Sequence, residues 1–598
     1  MTEHGTGTTH AFAAPTDTPH PHPRRPIRIA NCSGFYGDRL TAPREMVEGG
    51  PIDVLTGDYL AELTMSILWK ARRKDPSAGY ARTFLVQMEQ VMGLCQDRGI
   101  RIVTNAGGLN PAGLAERLHE IAQRLGLSPS IAHVTGDDVL DKVVAGPNTV
   151  TANAYLGGWG IAAAMAEDAD IVVCPRVTDA SLVVGPAAWW HHWRRTDFDE
   201  IAGAIVAGHV IECGPQATGG NYPFLAELPN ARRPGFPIAE VAADGSAVIT
   251  KHRGTGGVVS VGTVTAQLLY EIAGPAYPNP DAVAHFDTIR LRPAGPDRVR
   301  IHGVRGTPPP PTLKVALNDL GGYRNTMTLV LTGLDIEAKA ARVEQMLFTG
   351  VGGERSFAEV DVRLIRYDRP DAPTNEQATA HLRITVKDPD PTKVGRAFSG
   401  AVVELALAGC AGLHATTPPT PETAYAVYRA ASIPAADVRH TVVLPDGRVR
   451  LIPAAEHTAQ LPPAPEPPLP RPVQASRGPR DTAAAIRTRR APLGLICGAR
   501  SGDKGGAANL GLWTRTDAEF AWLQDHLTIS HLRDLLPEAA DLPIERYVLP
   551  HLRAINFVIS GLLGEGVASS TRPDPQAKGL AEYVRARHTD IPTILLGG

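Results

Sequence analysis

Carboxylates, arginines and paired glycines recur in this chain at one kind of place, just after a short apolar run. Asp38 and Arg39 follow residues 27–32, and Asp58 follows residues 52–55. Asn105, Gly107, Gly108 and Asn110 follow residues 101–104, Asp137 follows 130–134, and Arg176, Thr178 and Asp179 follow 169–174. Aspartates in such positions can move protons, arginines can fork onto a carboxylate or phosphate, and glycine N–H groups can meet an enolate oxygen. Asp58 and Asp179 are therefore the candidate acid/base residues. Gly107 and Gly108 are candidate oxyanion donors, Arg39 and Arg176 candidate carboxylate holders, and Asn105, Asn110 and Thr178 further polar contacts. Helix capping explains each aspartate taken singly. It does not require Arg39 and Arg176 in the same loops, so a shared polar ligand site accounts better for the set. Asp38, Asp58 and Asp179 also offer oxygen ligands to Mg²⁺.

Three later stretches repeat the pattern. Gly219, Gly220 and Asn221 form one, and Arg253 heads the run Arg253-Gly254-Thr255-Gly256-Gly257. Arg500, Ser501, Gly502, Asp503, Lys504 and Asn509 lie in a glycine-rich run over 498–509 that reads as a loop able to hold a phosphate. None matches a Walker A loop or a dinucleotide fingerprint, so NAD is poorly supported. The scattered cysteines and histidines give no zinc spacing, and there is no Gly-x-Ser-x-Gly elbow for a serine hydrolase.

The elements that must position these residues are legible as strands alternating with helices. The helix after Asp58 carries Leu60, Leu63, Ile67 and Leu68 on one face; others cover 80–98 and 112–125, and an Asp of 137–138 caps one starting at Val139. This pattern predicts an α/β unit over 27–452 built on a parallel, doubly wound sheet, with its ligand crevice at the carboxyl ends of the strands. Residues 330–450 read as an α+β region within that unit. A Pro-rich linker over 453–490 leads to a small α+β domain over 491–598, and residues 1–26 read as a disordered tail. The chain has 598 residues, too many for one core. A net charge of −3 gives no basic surplus for nucleic acid, and no apolar run reaches the length of a membrane span. Six dispersed cysteines fit a reducing cytoplasm.

The segments Asn31–Arg39, Leu55–Leu60, Thr104–Pro111 and Cys174–Ala180 resemble the acyclic terpene utilisation family of the AtuA type, and Ala499–Gly505 with Asn509 resembles that family's small C-terminal domain. The resemblance implies a branched, unsaturated acyl substrate carried as a CoA thioester, in terpenoid or branched-acid metabolism. Joined to the carboxylates, it implies a hydro-lyase that adds or removes water, with the 500–506 loop on a phosphate of CoA; a homo-oligomer is expected, and no cofactor is assigned. Two other readings stand beside it: an acyl-binding or scaffold subunit of a carboxylase-type complex, and a Mg²⁺-assisted lyase.

Overall fold

The computed structural model describes residues 25–229, 232–461 and 487–597. The expected tail over 1–26 and the Pro-rich core of the linker lie almost wholly outside the described residues. Eight strands of the large unit matter most for the site: β1 (Ile27–Asn31), β2 (Val54–Gly57), β3 (Arg101–Thr104), β4 (Ile131–Thr135), β5 (Thr149–Ala154), β6 (Ile171–Val173), β7 (Pro237–Val241) and β8 (Ala247–Lys251). Seven helices accompany them: α1 (Ala42–Glu48), α2 (Glu62–Lys74), α3 (Arg82–Asp97), α4 (Pro111–Leu125), α5 (Trp159–Ala166), α6 (Ser181–His191) and α7 (Phe198–Ile211).

Five parallel strands, in the order β1-β2-β3-β6-β4, form the middle of an eleven-stranded sheet. Antiparallel strands extend it on both sides, β7 and β8 beyond β1 and Thr441–Val443 beyond β4. The class is α/β, but the sheet is mixed rather than parallel throughout. Successive side chains of a strand face opposite ways, and these strands are apolar on both sides. Ile29, Val103 and Val172 enter one core, whereas Ala30, Ile102 and Val173 enter the other. Met46, Phe84 and Leu114 of α1, α3 and α4 complete the second core; Ile161, Val184 and Ile205 of α5, α6 and α7 complete the first. Every residue from Ile201 to Ile211 in α7 is buried, so this helix runs through the protein's interior. The loops after β3 and β6 therefore leave for helices on opposite faces of the sheet, which opens a crevice between two neighbouring strand ends.

Two local expectations change. No helix starts at Val139; the chain continues into β5, which pairs with the long strand Thr312–Thr332. The Asp137 side chain accepts from Asn153 Nδ2 (2.8 Å) and Arg176 N (3.3 Å) instead of capping a helix. On α2, Met65 and Leu68 are buried while Leu63 and Ile67 stay largely exposed, so the buried face is rotated from the one read in sequence. The region after residue 330 is α+β as expected: Thr312–Thr332 pairs with Thr379–Asp388 and Thr423–Pro434, and two helices pack on that sheet.

The C-terminal region forms an antiparallel sheet in the order Cys497–Lys504, Ala507–Thr514, Ala554–Ile559, Ile544–Leu549. The glycine-rich run is thus a strand of a hairpin, with only its turn, at Gly505 and Gly506, free of pairing. Its glycines serve close approach. A Cβ on Gly502 would stand 2.6 Å from the Tyr270 ring, and one on Gly511 2.6 Å from Leu269 Cβ. Asn509 fixes that contact: its amide donates to Leu269 O (2.7 Å) and Asn556 Oδ1 (2.9 Å), and its carbonyl accepts from Glu271 N (2.8 Å). Asn556 donates to Ala273 O at 2.7 Å. Truncation leaves the buried Leu269 O and the part-buried Glu271 N without partners, so Asn509→Ala is expected to destabilise the docked C-terminal domain by on the order of 1–3 kcal/mol. Thermal melts that coincide with those of the wild type would contradict this role.

Candidate active site

Asp58 is held from three directions. Its backbone N–H donates to Ser33 O at 3.0 Å. Its Oδ1 accepts from Leu60 N at 3.1 Å and from Asn105 Nδ2 at 2.6 Å. Asn105 also accepts from Tyr59 N at 2.7 Å, so one buried amide at the end of β3 ties down the turn after β2. Asp179 enters from the loop after β6. Arg176, buried in that loop, donates to Leu60 O (2.9 Å) and Asp179 Oδ1 (2.8 Å), and its guanidinium lies 4.3 Å over the Tyr155 ring. A third carboxylate, Glu212, arrives from the C-terminal end of α7. Oxygens of Asp58, Asp179 and Glu212 lie within 4.8 Å of one another.

The trio faces a cavity of about 510 Å³. Asp38, Gly220 and Asn221 of the large unit line it, with Tyr270 and Glu271 beyond α7 and Asn318 and Tyr428 on the second sheet. The C-terminal domain closes the remaining side with Asp503, Gly505, Gly566 and Lys578. The site is therefore completed across the domain joint. Burial pushes the Asp58 carboxyl well up, the Asp179 charge adds to that, and Arg176 opposes it. Burial and the same Asp179 charge push Glu212 up as well. Burial also acts upward on Glu62, but Lys314, Arg176 and the Tyr155 hydroxyl outweigh it and hold Glu62 at about 2. The cavity thus contains carboxyls held in opposite protonation states, an arrangement suited to proton transfer.

The sequence-derived residues divide into three groups. Asp58, Asp179, Gly220, Asn221 and Asp503 line the cavity. Asn105 and Arg176 stand just behind its surface; Lys504 is exposed, and its Nζ donates to Glu271 O at 2.9 Å. The others have structural work elsewhere. Gly107 N donates to Cys174 O (3.1 Å) and Gly108 N to Asn105 O (3.2 Å), so neither N–H is free for an oxyanion. A Cβ on Gly107 would stand 2.5 Å from Cys174 O, which explains that glycine as close packing. Asn110 caps α4 through Gly113 N (2.9 Å). Arg39 binds Glu45 (2.7 Å) and Pro234 O (3.1 Å); Asp38 lines the cavity but spends its carboxylate on Gly34 N (3.0 Å) and Arg39 N (2.8 Å) within its own turn. Thr178 pairs with Ser181 at 2.6 Å. Gly219 packs on Leu228, and Arg253 is exposed on a turn outside the cavity lining. Arg500 stacks on Tyr270 at 4.4 Å and reaches Gln216, Ser501 donates to Ala577 O (2.6 Å), and Gly502 and Asn509 belong to the domain contact. Sequence reasoning misses Glu212, Glu62, Glu271 and Lys314; for Glu212 the available signal is an acid directly after the mostly apolar run Ile201–Ile211.

Burial pushes the Asp137 carboxyl up to about 7. A folded value above the ordinary one means that its contribution to stability is whole below about pH 4 and is lost as pH rises through about 7. Asp137→Asn keeps an oxygen acceptor and removes the charge. It should raise the melting temperature at pH 8, with an upper bound of about 4 kcal/mol, and change little at pH 4 or below. A melting-temperature difference that stays constant from pH 5 to pH 8 would contradict this assignment.

Residues 27–444 match a model of the acyclic terpene utilisation family protein AtuA, and residues 491–589 match the AtuA ferredoxin-like domain. No curated protein and no solved structure matches the chain. No helix among the described residues is long and apolar enough to cross a membrane. With the first match spanning more than half of the sequence and the second covering the C-terminal sheet that closes the cavity, the chain belongs to the acyclic terpene utilisation family.

Proposed function

We propose that the protein is an acid/base enzyme that adds water to, or removes it from, a branched unsaturated acyl group presented as a thioester. The carboxylate trio facing the cavity carries this reading. A pocket that only held an acyl chain would gain nothing from burying three carboxylates against one another, which costs free energy unless protons or cations balance them. The cavity volume falls within the range of small-molecule sites and suits an acyl group. The nucleotide end of a CoA thioester would lie along the mouth, where Lys504 and Lys578 supply positive charge.

In the hydration direction, water oxygen bonds to the β-carbon as Asp179, oriented by Arg176, takes the water proton. The α-carbon receives a proton from Asp58, and the double bond becomes single. The thioester oxygen gathers charge as an enolate and accepts a hydrogen bond from the neutral carboxyl of Glu212, the role a protonated buried acid can fill. Proton exchange among the clustered carboxyls then restores the starting state.

Asp58→Asn should lower kcat for hydration of a branched enoyl thioester by roughly 10²–10⁴-fold with little change in binding. Lys504→Ala should raise KM and leave kcat near the wild-type value. Steady-state kinetics with calorimetric binding separates the two. Undiminished kcat in Asp58→Asn would sink the reading, and ligand binding with no turnover by the wild type would favour the acyl-binding subunit instead.

A further inference from the structure

The floor of the cavity is short of positive charge. Arg176 contacts the carboxylate trio directly, and it does so through Asp179. Glu62, Glu271 and Asp503 line the same space, where Lys578 is the one lining cation among the described residues. Glu212 adds an independent observation. It is 9% exposed, and its Oε2 is buried without a hydrogen-bond partner among the described residues. His209, three residues back on α7, is 1% exposed and has neither ring nitrogen hydrogen-bonded, while its Nδ1 stands 3.4 Å from Glu212 Oε1. Buried polar atoms are nearly always satisfied, so an unpartnered oxygen on Glu212, a residue that lines the cavity, marks the place of a missing partner.

We propose that Asp58, Asp179 and Glu212 form a binding site for an oxygen-seeking divalent cation of the Mg²⁺, Mn²⁺ or Ca²⁺ class. The donors are all carboxylate oxygens, the set that hard cations select over zinc or copper. A cation centred in an equilateral triangle with the 4.8 Å separation as its edge would stand about 2.8 Å from each oxygen, so inward movement of a few tenths of an ångström reaches calcium-like distances. Glu212 replaces Asp38 in the ligand set read from sequence, because Asp38 spends its carboxylate on Gly34 N and Arg39 N. The site opens toward the cavity, where a carbonyl or carboxylate oxygen of the acyl substrate could share the cation. This inference rests on the trio being the centre that meets substrate, and it is an alternative to the protonated trio of the acid/base steps, because a bound cation displaces the protons of Asp58 and Glu212; cation binding is measured without substrate.

The test uses the full chain, stripped with EDTA, dialysed, and titrated with MnCl₂ while electron paramagnetic resonance follows free Mn²⁺. One ion should bind per chain with a dissociation constant below about 1 mM, within the range of oxygen-ligand sites. Glu212→Gln and Asp179→Asn should each weaken uptake at least tenfold with unchanged far-ultraviolet circular dichroism, whereas Asp525→Asn, exposed on the C-terminal domain and outside the cavity lining, should leave it unchanged. No uptake, or uptake indifferent to both Glu212→Gln and Asp179→Asn, overturns the site. Thioester turnover that persists in EDTA after such a failure leaves the acid/base reading standing. Uptake by the trio without turnover does the reverse.

Discussion

The site depends on one buried cation, Arg176, set among carboxylates. Its side chain is 3% exposed and has no water to solvate it, so it needs protein partners. It finds Leu60 O in the turn after β2 and Asp179 in its own loop, with the Tyr155 ring beneath. Those contacts connect β2, β6 and the segment following β5. The Asp58–Asn105 bond adds β3 to the same network. Arg176 offsets only part of the negative charge around it. Asp58 and Glu212 answer by holding protons or, under the proposal above, by sharing a cation.

The fold makes this concentration of charge tolerable by placing it where several units meet. The crevice at the strand ends supplies Asp58 and Asp179, the interior helix α7 delivers Glu212 from behind, and the second sheet brings Asn318 and Tyr428. The C-terminal domain is the closing wall. It seats against residues 269–273 through two buried asparagines and two glycines that allow backbone contact. An exposed carboxylate cluster would be shifted only by its mutual repulsion, weakened by water; burial in the cavity adds the larger push on Asp58 and Glu212.

Much of this arrangement is legible in sequence, and the exceptions have physical causes. Asp58 and Asp179 could be found because polar residues ending apolar runs fall together whenever the strands are parallel. Glu212 could not be placed by that rule, since it ends a helix and its nearness to Asp58 is set entirely by how α7 passes through the core. The Gly502–Gly506 glycines read as an anion loop because glycine serves left-handed turns and close packing alike. Leu269 and Tyr270, more than two hundred residues away, decide between those uses. The expected helix at Val139 failed for a related reason: an aspartate before an apolar residue suggests a cap, but pairing of β5 with Thr312–Thr332 overrides that local preference.

Proton transfer between the buried carboxyls and acyl carbon is the central claim. Its most direct test is proton NMR of a branched α,β-unsaturated acyl thioester incubated with the full-length protein in D₂O. The account predicts a product with deuterium on the α-carbon and a hydroxyl on the β-carbon, formed by the wild type and not by Asp58→Asn. A ligand that binds yet keeps its spectrum unchanged, or a thioester that is consumed with no deuterium entering the α-carbon, would contradict it.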